Sequence, residues 1–188
     1  MKLLDILLGR SRPVKSKLEN LFAISTAYLT LTVNVGLKPG GAAGICFQPN
    51  TATEFRETEE DLKQLVTIAS KATHTEVSFT QDAFGFRWIL LKDPQFEDLV
   101  ATLHMVSLTL QERGFGEQIL AGVFRFRRND GPVYWIYNYK RGAFYPMVPS
   151  GERQRDNAEE LRLRSLLEKE LPLEKDLRLW YPLWGIPF

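Results

Sequence analysis

The feature that most constrains the fold is a pair of alternating apolar segments in the second half of the chain. Residues 118–128 and 133–140 are rich in β-branched and aromatic residues, and Asn129, Asp130 and Gly131 lie between them. Turn-forming residues between two alternating segments are a strong hairpin signal. The second segment places four apolar side chains on one face: Val133, Trp135, Tyr137 and Tyr139. This pattern predicts an antiparallel sheet with one apolar face.

A second hairpin is predicted upstream. Residues 77–79 and 84–90 alternate in the same way, and residues 81–83 supply the turn between them. Residues 144–148 follow the first hairpin and are predicted as a further strand.

The early part of the chain predicts another pair of strands. Residues 29–35 alternate leucine or valine with threonine or asparagine, which is typical of a half-buried strand. The glycine-rich residues 37–44 are then interpreted as a turn, and residues 45–48 as the returning strand.

Helical periodicity of three and four residues separates the strands. The longest helix is predicted to begin after Asp93 and to end at Gly114, an aspartate cap and a glycine being the expected signals. The other helices are predicted over residues 18–24, 53–71 and 156–171. This order predicts an α+β fold: an antiparallel sheet of about six to seven strands with helices packed mainly on one face.

Three segments are predicted along the chain. Residues 1–17 form a short apolar and basic segment, residues 18–172 a single α+β domain, and residues 173–188 an aromatic tail docked on that domain. Docking is expected because the tail would otherwise expose a large apolar patch. The alternative is that the tail is itself the partner-binding peptide and is disordered until it binds. A regular helix is not expected in the tail, since Pro182 and Pro187 interrupt it.

The charge balance and the few cysteines and histidines argue against nucleic-acid binding and against a metal site. The sequence has 24 basic and 23 acidic residues and a formal net charge of +1, without the positive excess that nucleic-acid binding requires. One cysteine and two histidines make neither a disulfide nor a zinc site expected. No run of eighteen apolar residues occurs, so we expect a cytoplasmic location. We also expect no bound metal and no cofactor.

The sequence offers few residues for catalysis, and we expect no enzyme activity and no catalytic residues. Residues 39–44 lack both phosphate-loop fingerprints, and Cys46 and His104 read as structural residues. One alternative stays open: a small-molecule sensor or an enzyme that uses a pocket near Cys46, His104 and the Gly40–Gly44 loop.

A partner-binding surface is predicted where aromatic and basic residues alternate after the main hairpin. Its residues are Tyr137, Tyr139, Lys140, Arg141 and Tyr145. Rings and cations brought together on one strand face can bind an acidic peptide or an anionic group. The alternative is an ordinary sheet edge with lysine and arginine side chains that extend into solvent.

The first residues of the chain form a second candidate contact. Four leucines, Leu3, Leu4, Leu7 and Leu8, lie beside five basic residues. Such a segment can pack on its own domain or on a partner protein, or it can make a weak peripheral contact with an anionic membrane.

Several segments together resemble those of a known family, the PspAB-type proteins associated with phage shock protein A. They include LLDILLGRSRPV, GAAGICFQP, DAFGFRWILL and YNYKRGAFYPMVPSGERQRDN, and the resemblance extends over nearly the whole chain. None of these segments is a catalytic motif.

The resemblance implies a small, non-enzymatic accessory or adaptor protein of a bacterial envelope-stress system. It implies a cytoplasmic location, at most peripheral at the inner face of the membrane. It also implies a partner of the phage shock protein A type, a membrane-remodelling coiled-coil protein, or another envelope-stress component. The order of helices and hairpins is similar to that of type III secretion chaperones as well, by fold-level analogy alone.

Overall fold

The computed structural model describes residues 17–48, 60, 63–68, 70–71, 73–129 and 131–188. Six strands form the main sheet: β1 (Lys38–Phe47), β2 (Glu76–Gln81), β3 (Arg87–Lys92), β4 (Ile119–Arg128), β5 (Gly131–Asn138) and β6 (Ala143–Met147). Two short strands, β7 (Pro149–Gly151) and β8 (Gln154–Arg155), form a separate pair.

The main sheet is antiparallel throughout, with the strand order β2-β3-β1-β4-β5-β6. The hairpins β2–β3 and β4–β5 and the strand β6 confirm the sequence prediction. The predicted α+β class, with an antiparallel sheet and helices, is likewise confirmed.

A continuous helical segment precedes the sheet. It begins as a 3₁₀ helix (Lys17–Phe22), continues as α1 (Ala23–Leu29) and ends in a π-helical turn (Thr30–Asn34). Residues 63–68 and 70–71 are also helical. The two longer helices are α2 (Phe96–Glu112) and α3 (Asn157–Leu167), and short 3₁₀ turns occur at Gly116–Gln118 and Leu177–Leu179.

Gly114 and Asp156 follow the capping signals in the sequence, but Asp93 is not the N-cap of α2, because this helix begins at Phe96 with Gln95 as its N-cap. Oδ1 of Asp93 accepts a hydrogen bond from the backbone N–H of Gln95 at 2.8 Å, just before α2 begins. Gly114 follows the helix with a φ of 85°, the left-handed conformation that favours glycine. Asp156 caps α3 by accepting from the N–H of Glu159 at 2.9 Å.

The predicted strand over residues 29–35 is wrong, because these residues are helical. Leu31 and Val35 are buried and lie one turn apart, whereas Leu29 and Val33 are exposed and also lie one turn apart. The hydroxyl of Thr32 donates to the carbonyl of Tyr28 at 2.9 Å, as threonine does inside helices. The alternating pattern therefore belongs to two opposite faces of one helix.

The predicted glycine-rich turn is also wrong, because residues 38–47 form β1 at the centre of the sheet. Gly40 is needed for close approach: a Cβ there would lie 2.6 Å from Cγ of Arg125. The register of β1 against β4 shifts between Pro39 and Ala43, where a bulge accommodates the extra residues. The neighbours of β1 are β3 and β4, and the predicted local hairpin does not form.

Each face of the main sheet carries its own apolar core. The helix face is covered by the helical segment, α2 and α3. Its largest buried side chains include Phe47, Phe124, Phe126, Trp135, Tyr137 and Phe144. The opposite face, called the tail face here, is covered by the last residues of the chain. It carries Cys46, Trp88, Val123, Tyr134, Ile136, Tyr145 and Met147.

Candidate functional site

The predicted aromatic and basic surface does not exist as one surface. Tyr137 and Tyr139 are 0% and 8% exposed on the helix face, and Tyr145 is 2% exposed on the tail face. Tyr145 pairs with Ile136 in the sheet register, so it lies on the opposite face from Tyr137. The alternation places tyrosines on strand faces correctly, but both faces are covered.

The hydroxyls of two of these tyrosines form hydrogen bonds inside the protein. Tyr137 donates to the carbonyl of Lys17, and the hydroxyls of Tyr139 and Ser107 share a hydrogen bond. Burial raises the pKa of both tyrosines. These rings therefore connect β5 to the helical layer.

Lys140 and Arg141 lie in the turn between β5 and β6. The carbonyl of Lys140 accepts a hydrogen bond from Nζ of Lys17 at 2.6 Å, and the Lys140 side chain is exposed. Nε of Arg141 donates to Oε2 of Glu174 at 2.7 Å. This hydrogen bond lowers the pKa of Glu174, whose side chain is 5% exposed. Arg141 therefore ties the turn to the residues that lead into the tail.

Leu3, Leu4, Leu7 and Leu8 lie outside the described residues. Their contact with a partner or a membrane stays a prediction, as does the division of the chain at residues 17 and 172.

Cys46 and His104 do not share a pocket. Cys46 lies on the tail face, and burial, with a smaller contribution from the charge of Asp82, raises its pKa to about 12. His104 lies on α2 over the opposite face, where its ring centroid is 4.5 Å from that of Phe22 and burial lowers its pKa. Gly40 and Gly44 belong to β1. The sheet separates the two side chains that such a pocket would need.

A stripe of exposed apolar residues runs along the outer side of the first helical segment. Phe22, Leu29 and Val33 are 41%, 68% and 69% exposed, and Thr26 lies between them. The inner side of the same segment is buried and carries Leu18, Leu21, Ile24, Ala27 and Leu31. We call Phe22, Thr26, Leu29 and Val33 the outer stripe. The inner apolar side of this segment packs on the core, so its exposed apolar side is available to a partner.

The chain after α3 packs across the tail face. Trp180 is 5% exposed, and its Nε1 donates to the carbonyl of Glu174 at 3.0 Å. Nη1 of Arg155 donates to the carbonyl of Trp180 at 2.7 Å. Arg155 also forms an ion pair with Glu160, whose side chain is 2% exposed, at 2.8 Å. A buried ion pair therefore holds the beginning of the tail.

Further contacts hold the rest of the tail. The hydroxyl of Tyr145 donates to the carbonyl of Tyr181 at 2.9 Å, and that of Tyr134 donates to the carbonyl of Phe188 at 3.1 Å. The N–H of Leu183 donates to Sδ of Met147 at 3.3 Å. Side chains of β5 and β6 thus hold the backbone of the tail.

Sequence reasoning missed both the outer stripe and the Arg155–Glu160 pair. The stripe was visible as apolar residues at positions 22, 29 and 33, but the strand interpretation of residues 29–35 concealed its helical spacing. The ion pair joins β8 to α3 and carries no local signal.

Membrane-spanning helices and metal clusters are both absent from the residues with described positions. No helix among them is both long and apolar enough to cross a bilayer. Nor do three or more histidine, cysteine, aspartate or glutamate side chains among them converge as a metal site.

These observations define a class: an antiparallel α+β protein whose sheet is covered by helices on one face and by its own tail on the other. The chain belongs to the PspAB family, since the family model described as PspA associated protein B matches residues 1–188. This match confirms the resemblance seen in the sequence. Comparisons with curated proteins and with solved structures find no match.

Proposed function

We propose that this protein is a non-enzymatic accessory protein that acts as a cytoplasmic adaptor in a bacterial envelope-stress system. Its partner is a phage shock protein A-type coiled-coil protein, and it acts by direct protein–protein interaction. The family description, PspA associated protein B, supports the association with PspA. The position of Cys46 and His104 on opposite faces of the sheet supports this proposal over a sensor or enzyme that uses both residues.

The observation that carries this proposal is the outer stripe. Its residues follow one another at intervals of four, three and four, about one turn of the helical segment, so they lie along one side of it. Leu29 and Val33 are more than two-thirds exposed. Burying them against another helix would remove an apolar surface from water.

The chemistry around the stripe favours a helical partner. Positions 25, 26, 30 and 32 are serine and threonine, so neutral side chains border the apolar residues. An amphipathic helix of the partner can pack on this face through its own apolar seam. The adaptor would thus extend the helical surface of a coiled-coil protein.

Binding to the purified phage shock protein A homologue from the same genome tests this proposal. Leu29→Glu and Val33→Glu each place a charge in the outer stripe, and we expect each to weaken binding by at least about thirtyfold, as hot-spot changes do. Leu177→Glu is the matched control, because Leu177 is 47% exposed in the 3₁₀ turn that leads into Trp180 of the tail face, on the other side of the sheet from the stripe.

Circular dichroism and thermal unfolding establish that all three variants are folded. Equal affinities for the wild type, both stripe variants and the control would reject the stripe as the contact. Absence of any binding by the folded wild-type protein would reject the adaptor function itself.

The amino-terminal leucines supply a second, weaker contact in this proposal. Removing residues 1–12 is expected to leave the domain folded and to weaken binding to the partner or to anionic liposomes, because the leucines offer apolar area and the neighbouring bases offer charge. Unchanged binding in both assays would eliminate this contact.

A further inference from the structure

A cavity of about 160 Å³ opens on the tail face, between the turn that joins β2 to β3 and the tail. The residues that line it include four aromatic ones, Phe84, Phe86, Trp88 and Trp184, together with Asp82 and Cys46. Trp88 is almost fully buried, whereas Phe84 is 54% exposed at the rim. The cavity therefore has aromatic walls and one acidic group.

The carboxylate of Asp82 accepts three hydrogen bonds. Its Oδ1 accepts from the N–H groups of Phe84 and Phe86 at 2.9 and 3.0 Å, and its Oδ2 accepts from Nε1 of Trp88 at 2.8 Å. Asp82 thus places a carboxylate at the cavity.

We propose that this cavity binds a small organic cation that carries a methylated ammonium group. The faces of aromatic rings attract cations within about 6 Å of the ring centre, and aromatic cages are a recurrent means of recognising such groups. Asp82 supplies the opposite charge, and the four rings supply the walls. This site is independent of the proposed adaptor function.

The hydrogen bonding favours a methylated ammonium over a primary one. A primary ammonium carries three N–H donors that need acceptors when they leave water. The oxygens of Asp82 already accept three hydrogen bonds, and most of the remaining lining is apolar. A quaternary ammonium needs charge but no acceptor. Its size also fits, since cavities of about 150 Å³ admit molecules as large as benzene.

The tail forms one side of this site. Trp184 and Leu183 both line the cavity, and Leu183 is held to Met147. Gly185 lies next to the rim, where a Cβ would be 3.6 Å from Cε2 of Phe84. The complete cage exists only when the tail is docked, so a bound cation would stabilise the docked tail.

The test compares choline with 3,3-dimethyl-1-butanol, its neutral carbon analogue. NMR monitors the indole N–H resonance of Trp88, which reports on the cavity because this group bonds to Asp82. We expect choline to shift the resonance in a saturable way and to bind at least about tenfold more tightly than the neutral analogue. Equal binding of the two, or no shift with either, would overturn the proposal.

Two variants locate the site on the expected side chains. Phe84→Leu removes one exposed ring and is expected to weaken choline binding by about three- to tenfold. Tyr181→Leu is the matched control, because Tyr181 is 54% exposed like Phe84 and lies in the tail outside the cavity lining, and it is expected to bind as the wild type does. Equal weakening by both variants would contradict the cage.

Asp82→Asn tests the charge, with thermal unfolding as the check that the hairpin is intact. A folded Asp82→Asn variant that binds choline as tightly as the wild type would exclude Asp82 as the counter-charge.

Sedimentation with lipid vesicles distinguishes a lipid headgroup from a free solute as the source of the cation. Sedimentation with phosphatidylcholine but not phosphatidylglycerol vesicles would support a lipid headgroup, and saturable choline binding without sedimentation would support a free solute.

Discussion

The ring of Phe188 fills the space that glycine leaves at position 44. A Cβ atom on Gly44 would lie 2.8 Å from Cε1 of Phe188 and 3.1 Å from the carbonyl oxygen of Ile89. Phe188 also contacts Trp88, with ring centroids 6.2 Å apart in an edge-to-face arrangement. The first strand and the last described residue are therefore fitted to each other.

Gly44→Ala is expected to displace the Phe188 ring and to lower the free energy of unfolding by about 1–3 kcal/mol, the usual effect of overpacking. Chemical denaturation measures the change. Gly131→Ala is the control, because its Cβ would meet the nearest atom, the carbonyl oxygen of Arg128, at an ordinary 3.8 Å. Equal destabilisation by the two substitutions would disprove the fit between Gly44 and Phe188.

Arg155→Ala is expected to destabilise the protein by about 3 kcal/mol, since it leaves the carboxylate of Glu160 buried without its cation. It also removes the hydrogen bond to the carbonyl of Trp180. Arg162→Ala breaks an exposed ion pair with Glu159 and is expected to cost less than about 1 kcal/mol. Urea unfolding measures the free energy of unfolding of both variants. Similar decreases in the two would count against a special role for Arg155.

The Arg141–Glu174 pair predicts a loss of stability in acid. The hydrogen bond from Arg141 holds the pKa of Glu174 below its ordinary value of 4.5 in the folded protein. The contribution of this pair is therefore complete above pH 4.5 and is lost as the pH falls through the folded pKa. In Glu174→Gln, the free energy of unfolding should depend less steeply on pH below 4.5. An unchanged slope would remove Glu174 from the acid response.

Cys46 is expected to react slowly with alkylating reagents. Its pKa of about 12 leaves the thiolate fraction at pH 7 lower, by about three orders of magnitude, than that of a free thiol. Iodoacetamide labelling followed by mass spectrometry measures the rate. Removal of residues 177–188 should accelerate labelling, because the tail covers this face. Rapid labelling of the intact chain would show that the tail face is open.

The parts of the fold that the sequence predicted depend on neighbours along the chain. The β4–β5 hairpin joins strands separated by a tight turn, and its alternation and its turn residues point to one register. The cap at Asp156 likewise acts within three residues. Local chemistry is sufficient for such elements.

The errors arose where distant residues decide the structure. When apolar residues occupy every second position, alternate members of the series are four residues apart and lie on the same face of a helix. Leu31 and Val35 therefore face the core, and Leu29 and Val33 face solvent. Gly44 is glycine because of Phe188, which lies 144 positions later. No local pattern carries that information.

The burial of the candidate tyrosines Tyr137, Tyr139 and Tyr145 has a related cause. The strand pattern correctly placed Tyr137 and Tyr139 on one face, but a second layer covers the opposite face as well. Aromatic residues on a sheet with two covered faces are core residues, and the exposed apolar surface lies instead on the first helical segment.

The central place of β1 sets the order in which the sheet can be completed during synthesis. This strand is translated well before its two neighbours, which lie about 45 and 80 residues further along, and before the ring that fills its glycine slot. Pairings of such long separation form slowly and leave strand edges open meanwhile. The nascent chain therefore carries an unpaired central strand until β3 and β4 have both emerged from the ribosome.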